Sequence, residues 1–517
     1  MSHWIVAPIV LPALMAGALV LALGRNAVTA RAFSLLSVVA QLAIAVGLMV
    51  SASSNPPQVY ELGNWPAPYG IVMVLDRLSA MMLVLTAVLA VVVLAYASRG
   101  WDRRGRHFHA LFQFQLMGLN GAFLTGDVFN LFVFFEVLLI SSYGLMLHGS
   151  GPERLRHGTH YVVVNLTGSA LFLIGVGLIY GATGTLNMAD LAVKVPLVEA
   201  GDQAILQTGG LLLLLVFCVK AALVPLHFWL PGTYAAASAP VAALFAVMTK
   251  VGAYSILRVY TLVFGAGAGE AAWLAQPWLI PAALATLIVG VLGMLGARDL
   301  SRLVAFSVVA SMGTLLAAVG GFTPASVGAA LYYLLHSTVI TAGLFLLVEQ
   351  IGSRRGEHGG RIDLAPRFER MRLLATLFFL AGIASAGLPP LSGFVGKLLI
   401  LDGLRNDPAM ATIWSVILAT SLVMVLAYAR AGSLLFWKST AVEGSLPGPS
   451  AASGAAADGP PGGRLPLLAT GLLIGLTLLL SVFAGPVQDY LAKTTLQLFD
   501  PGPYLEAVLG PEGQRRS

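Results

Sequence analysis

Four charged side chains stand inside runs of otherwise apolar residues: Glu136, Lys220, Lys250 and Lys397. Each lies near the middle of its run, too far from either end for a lysine stem to carry its ammonium to a polar boundary. An ionised group at the centre of a bilayer costs at least ~2.5–3.5 kcal/mol on insertion scales, so it persists with a partner, water or a task. A buried carboxyl stays ionised beside a cation and takes up a proton when the cation leaves. One acid and three lysines at that depth therefore suggest a path for protons or cations. His336, central in another apolar run, adds an imidazole able to relay protons near neutral pH. A packing histidine is the plainer reading of that residue, as a static ion pair is for Glu136 and Lys220.

The elements that must position these groups are membrane helices. The chain has 517 residues, 58% of them hydrophobic and only 10% charged, where a soluble domain carries about 25% charged. About fourteen apolar runs are long enough to span, near 3–23, 30–51, 72–97, 108–126, 128–148, 160–181, 205–238, 240–262, 274–296, 300–320, 324–349, 372–405, 411–436 and 464–485. The expected fold is all-α, an integral membrane protein without a sizeable soluble domain. The first run lacks a basic leader and a cleavage site, so it reads as a retained helix. Cys218 is the only cysteine, which leaves no internal disulfide, iron–sulfur cluster or thiolate zinc site. No histidine pair has metal or haem spacing, and no segment has the context of a phosphate loop. No cofactor, no catalysis by this chain alone and no nucleic-acid partner are expected.

Two runs, 205–238 and 372–405, are too long for one straight crossing. Each contains prolines that remove backbone donors: Pro225 and Pro231 in the first, Pro389 and Pro390 in the second. Helices broken inside a bilayer occur where protein or a water-filled cavity satisfies the freed groups, and paired breaks point to repeats around a transport site. Lys220 precedes Pro225 by five residues and Lys397 follows Pro390 by seven. Since the runs lie five helices apart, the repeats would be inverted. The expected division is 1–100 for the first three helices, 101–262 for one repeat and 272–438 for its inverted counterpart. A Gly/Ala/Ser/Pro linker at 439–463 and a last helix with its tail at 464–517 complete the chain. His227 lies between the two prolines of the first break, as a gate or relay or as a donor to freed carbonyls.

Arginines and lysines cluster after odd-numbered runs, at Arg99 to Arg106, Arg154 and Arg156, Arg298 and Arg302, and Arg354 to Arg372. The positive-inside rule puts these loops in the cytoplasm and both termini outside. Glu349, near the cytoplasmic end of its run, is expected to meet the basic loop that follows it. Asp76 and Arg77, at the start of the third run, read as structural or as a contact between subunits. The stretch 186–195 is too short to span and reads as an interfacial helix or turn. The residues after Pro486 carry no clear pattern.

Three segments resemble a known family: Phe123-Leu-Thr-Gly-Asp-Val-Phe-Asn-Leu-Phe-Val-Phe-Phe-Glu136, Pro225 to Pro231 with the following Ala-Pro-Val-Ala-Ala-Leu, and Leu388-Pro-Pro-Leu-Ser-Gly-Phe-Val-Gly-Lys397. They are similar to the antiporter-like family shared by respiratory complex I membrane subunits and Mrp-type cation/proton antiporters. The likeness covers roughly residues 60–440. Thr183 to Leu191, Met248 to Tyr254 and the residues around Lys397 look like the D-type Mrp subunits. The resemblance implies a bacterial inner-membrane, multi-subunit Na⁺(K⁺)/H⁺ antiporter in which this chain works with other Mrp-type subunits. It assigns the proton path to Glu136, Lys220 and Lys250, and puts Lys397 where the middle antiporter-like subunit of complex I has glutamate. One departure is Ile340, where many complex I relatives have lysine, leaving His336 and water between Lys250 and Lys397. A proton-pumping subunit of complex I or of a related redox complex is the alternative reading, and a static scaffold the other.

Overall fold

The computed structural model describes residues 3–442, 444, 446 and 463–510. Most of the expected linker and residues 511–517 lie outside the described residues. The chain forms α1 (His3–Leu21), α2 (Ala27–Ser54), β1 (Gln58–Glu61), β2 (Val72–Leu75), α3 (Arg77–Ala97), α4 (Phe108–Leu124), α5 (Val128–Leu147), α6 (Pro152–Thr183) and α7 (Met188–Lys194). It continues as α8 (Gln203–Ala221), α9 (Trp229–Ala236), α10 (Ala239–Phe245), α11 (Met248–Leu262), α12 (Gln276–Gly296), α13 (Leu300–Gly320) and α14 (Pro324–Gly352). The remainder is α15 (Met371–Ala386), α16 (Ser392–Gly403), α17 (Met410–Gly432), α18 (Arg464–Val482), α19 (Ala484–Phe499) and α20 (Gly502–Leu509).

Twelve helical stretches among the described residues are long and apolar enough to cross a membrane. Two expected spans fall outside that set. Residues 108–126 fold as α4, of 17 residues, and 372–405 is split into α15 and α16, of 16 and 12. Three helices, α11, α13 and α14, are buried almost all round and form the centre. Leu418, Leu422 and Leu426 recur every fourth residue of α17 and are exposed, an apolar stripe suited to lipid. A two-stranded antiparallel ribbon, β1 with β2, is an addition to the expected all-α fold. The unread tail also folds: α19 follows α18 at Phe483, and both lie along α14.

Helix starts follow side-chain caps. Asp127 accepts from Asn130 N at 2.7 Å to cap α5, Asp299 accepts from Ser301 N at 2.8 Å to cap α13, and Thr323 with Ser326 closes a capping box on α14. The α4–α5 and α12–α13 pairs share a packing device. A Cβ at Gly118 would come within 2.6 Å of Leu138 N, and one at Gly121 would enter the Phe134 ring. Likewise a Cβ at Gly290 would meet Ala310 N at 2.4 Å, and one at Gly293 the Phe306 ring. The following loops match as well. Asp127 bridges Asn187, and Asp299 bridges Arg361, each as an isolated antiparallel pair.

The basic loops share one face of the molecule. Arg31 grips Asp102 at 2.5 and 2.8 Å, His109 lies 3.2 Å from the same carboxylate, and Arg430 donates to Ala297 O at 2.6 Å. Burial opposes ionisation of Asp102, but hydrogen bonds from Arg31 and His109 outweigh it and hold the carboxyl at about 2. On the other face Asp76 pairs with Arg258, not with its neighbour Arg77: Nη1 and Nη2 reach the two carboxylate oxygens at 2.6 and 2.9 Å. Arg77 instead donates to Ser53 O and lies over the Tyr490 ring.

Candidate functional site

The first break isolates Lys220. Helix α8 ends at Ala221, Ala222 turns the chain with φ 56°, and helix resumes only at Trp229. Freed groups find partners here: Val224 N donates to Thr286 Oγ1 at 2.9 Å, and Trp229 Nε1 donates to Val219 O at 3.0 Å. Pro225 lies in the gap. Pro231 does not, correcting the expectation: it occupies the first turn of α9, where a missing N–H breaks no helical bond. His227 is half-buried in the gap beside the Pro225 carbonyl, and its Nδ1 has no hydrogen-bond partner among the described residues.

Lys220, only 8% exposed, sits in the last turn of α8 and donates to Asn165 Oδ1 at 2.9 Å. Its nitrogen is 5.9 Å from the centre of the Phe135 ring. Glu136 on α5 lies within electrostatic reach of Lys220, but no direct ion pair joins them; the acid accepts a hydrogen bond from Ser169. Asn165 and Ser169 are successive inward positions of α6, and they stand between acid and lysine. The sequence reading missed both. Their spacing of four, in step with the buried Tyr161 and Phe172, is the signal that would have found them.

Lys250 is fully buried and close to α8, because Gly252 packs on that helix: a Cβ there would come within 2.7 Å of Ala221 N. The sequence puts it midway along a continuous helix. The structure places it in the first turn of α11, just after a joint at Ala246–Val247 where the backbone bonds shorten to i→i+3. Its ammonium donates a long hydrogen bond, 3.5 Å to Thr249 Oγ1.

The second break holds Pro389 and Pro390 between α15 and α16. Lys397, 5% exposed, turns back across it and donates to Ala386 O at 2.7 Å and to Ser421 Oγ at 2.8 Å. Ala386 ends α15, so the ammonium meets the negative pole of that helix. His336 on α14 is 1% exposed, with Nδ1 2.8 Å from Ser392 Oγ at the start of α16. Both Lys250 and Lys397 lie within its electrostatic reach. The five expected residues therefore fall into two groups of neighbours: Glu136 with Lys220, and Lys250 with His336 and Lys397. Such buried titratable groups in sequence can pass protons through small rearrangements and intervening water. Among the described residues no group of three His, Cys, Asp or Glu side chains is arranged to hold a metal ion.

Glu349 departs from expectation. Its carboxylate meets not the loop that follows it but the end of α3 and the loop after that helix, accepting hydrogen bonds from Tyr96 Oη at 2.7 Å and from Trp101 Nε1.

Residues 125–426 match a family model described as NADH:quinone oxidoreductase/Mrp antiporter, TM. The chain is 41% identical to a probable K(+)/H(+) antiporter D subunit of Rhizobium meliloti, with 98% of each chain covered. It is 37% identical to the Na(+)/H(+) antiporter D subunit of Bacillus subtilis, over 98% of this chain and 100% of that one. Among solved structures, a chain of the Mrp complex from a Dietzia species superposes with a TM-score of 0.84 at 29% identity, covering 99% of this chain and 100% of that chain.

Proposed function

Since the chain belongs to the NADH:quinone oxidoreductase/Mrp antiporter transmembrane family, we propose that it is one component of a multi-subunit antiporter exchanging cytoplasmic Na⁺ or K⁺ for external protons. Relatives over nearly the whole chain are antiporter D subunits with Na⁺ or K⁺ in their names, which supports the coarse function but not one cation over the other. In this reading the chain works with other Mrp-type subunits in the bacterial inner membrane and catalyses no reaction itself. The basic loops face the cytoplasm, both termini face outward, and fourteen crossings include two inverted five-helix repeats. The repeated glycine packing of α4–α5 and α12–α13, with matching bridges at Asp127 and Asp299, supports the repeats.

The proton path runs Glu136, Lys220, Lys250, His336, Lys397. The observation that carries it is the placement of His336: its Nδ1 lies 2.8 Å from Ser392 Oγ at the start of the helix that bears Lys397, and its own helix packs along α10, which leads into Lys250. Lys220 alternates between a charged form faced by Glu136 and a neutral form after passing its proton towards Lys250. Asn165 and Ser169 hold the two groups apart, so neither is locked in a closed ion pair. His227 is placed to admit or relay protons at the first break. A redox-driven pump could use the same row, since the family description also covers NADH:quinone oxidoreductase; the likeness to antiporter D subunits over 98% of the chain favours antiport.

The test is cation-driven proton flux by the whole complex in proteoliposomes. Lys250→Ala should abolish exchange in a complex that still assembles. Normal flux in an assembled Lys250→Ala complex would remove the residue, and the row through it, from the path.

A further inference from the structure

A cavity of about 320 Å³ opens among the basic loops, and Glu349 forms part of its wall. The row from Glu136 to Lys397 does not use this acid. Trp101, Arg104, Arg154 and Asp299 also line the cavity. Part of its lining is aromatic, Tyr234 and Phe345. Tyr234 packs on Phe345 with ring centres 6.1 Å apart and on Phe245 at 5.7 Å, and its hydroxyl donates to Phe245 O at 2.8 Å. Phe245 is the last residue of α10, so Tyr234 adjoins the joint that leads into Lys250. Ser238, also in the wall, is 1% exposed and its Oγ has no hydrogen-bond partner among the described residues.

We propose that Glu349 is a further proton-carrying residue, the terminus at which protons exchange between the buried row and solvent in this cavity. The inference rests on the path proposed above. In one direction the carboxylate takes a proton handed out past Tyr234, becomes a carboxylic acid, and releases the proton to water on the basic face. The hydrogen bonds around it allow both states. As a carboxylate it accepts from Tyr96 and Trp101. Once protonated it must donate, and Tyr96 can receive because its own hydroxyl has a second acceptor, Leu346 O, at 3.5 Å. Gln350 Nε2 holds the Tyr96 oxygen in place at 2.8 Å, and Arg354 in turn holds Gln350 Oε1 at 2.8 Å.

The surrounding charges favour a proton over a metal cation. The guanidiniums of Arg104 and Arg154 act on Glu349, and they flank Trp101 at 3.9 and 5.3 Å from its ring centre. They stay charged at all working pH values and repel Na⁺ or K⁺, while a proton on the carboxyl only reduces its negative charge. Arg154 also donates to Ala236 O at 3.0 Å, tying the cavity wall to the end of α9.

Glu349→Gln separates this role from a structural pin, because the amide oxygen still accepts a hydrogen bond but the group no longer titrates. Measured in the assembled complex in proteoliposomes, exchange should fall on the order of tenfold or more, and its dependence on pH at the basic face should lose one titration. Full flux with an unchanged pH profile would overturn the proposal. Should that variant fail to assemble, Ser353→Cys in a Cys218→Ser background probes the cavity. A membrane-impermeant maleimide should label it from the basic face and block exchange; no labelling, or labelling without effect, would overturn the proposal. Lys250→Ala runs alongside. If it too leaves exchange intact, the failure belongs to the row itself and not to Glu349 alone.

Discussion

The two breaks hold their lysines by different means. Lys220 is fixed by a side-chain amide, Asn165, with a carboxylate beyond it on α5. Lys397 is fixed by a backbone carbonyl, Ala386 O, and a hydroxyl, Ser421, with no carboxylate in contact among the described residues. The first environment holds a carboxylate, whereas the second holds the His336 imidazole and no carboxylate in contact among the described residues. In the proposed path a change at Glu136 therefore alters the first lysine directly, whereas Lys397 responds to what arrives through His336.

The largest effect should come from removing either lysine. Lys220→Ala and Lys397→Ala should each reduce cation-driven proton flux by about 10²-fold or more with the complex still assembled. Undiminished flux in Lys397→Ala would reduce the comparison to one working half. Next comes the acid. Glu136→Ala leaves Lys220 without its counter-charge and flux should collapse, while Glu136→Asp keeps the charge one methylene away and should retain part of it. Equal flux in both variants would mean that charge at this position is irrelevant.

The neighbours sharpen the contrast. Ser421→Ala removes one of two anchors on Lys397, a loss of about 1 kcal/mol, and most flux should survive because Ala386 O remains. Asn165→Ala should cost more flux, since Asn165 Oδ1 accepts the hydrogen bond from Lys220. The reverse order would contradict the assignment of the switch to the first half. His336→Ala should weaken exchange without abolishing it if water can bridge Lys250 and Lys397; complete loss would show that the imidazole is indispensable.

What the sequence revealed follows from physical cause. Mid-run charges and prolines announce themselves locally, so Glu136, Lys220, Lys397 and both breaks were legible. The joint at Ala246–Val247 was not, because neither residue is a helix breaker and the turn is imposed by packing around α10 and α11. Glu349 was placed near the correct face but against the wrong loop. Its partners Tyr96 and Trp101 lie 253 and 248 residues away in the chain, a separation that no local pattern bridges. Pro231 shows the converse: a proline signals that a helix begins or ends nearby, not which. The α19 helix stayed hidden because its mixed face is explained only by α14 and by contacts such as Gln497 Oε1 with Arg77 N at 3.0 Å.

The smallest expected effect lies outside the spans. Burial raises the Asp127 carboxyl to about 6, outweighing the bonds from the Asn130 and Phe129 amides. The folded chain then holds a proton that an unfolded aspartate, with its value near ~3.9, releases. Stability from this group is greatest below about pH 4 and is lost as pH rises to about 6. Asp127→Asn keeps the cap and removes the titration, so the fall in Tm between pH 4 and pH 7 should shrink. An identical fall in both proteins would show that Asp127 does not titrate there.

The central claim is that Glu136 and Lys220 act as a proton switch and not as a fastening. Exchanging them, Glu136→Lys with Lys220→Glu, keeps one positive and one negative group on either side of α6 but reverses their order along the row. Cation-driven proton flux through the assembled double variant decides the matter. The switch predicts an assembled complex without exchange; an assembled complex with full exchange would contradict it.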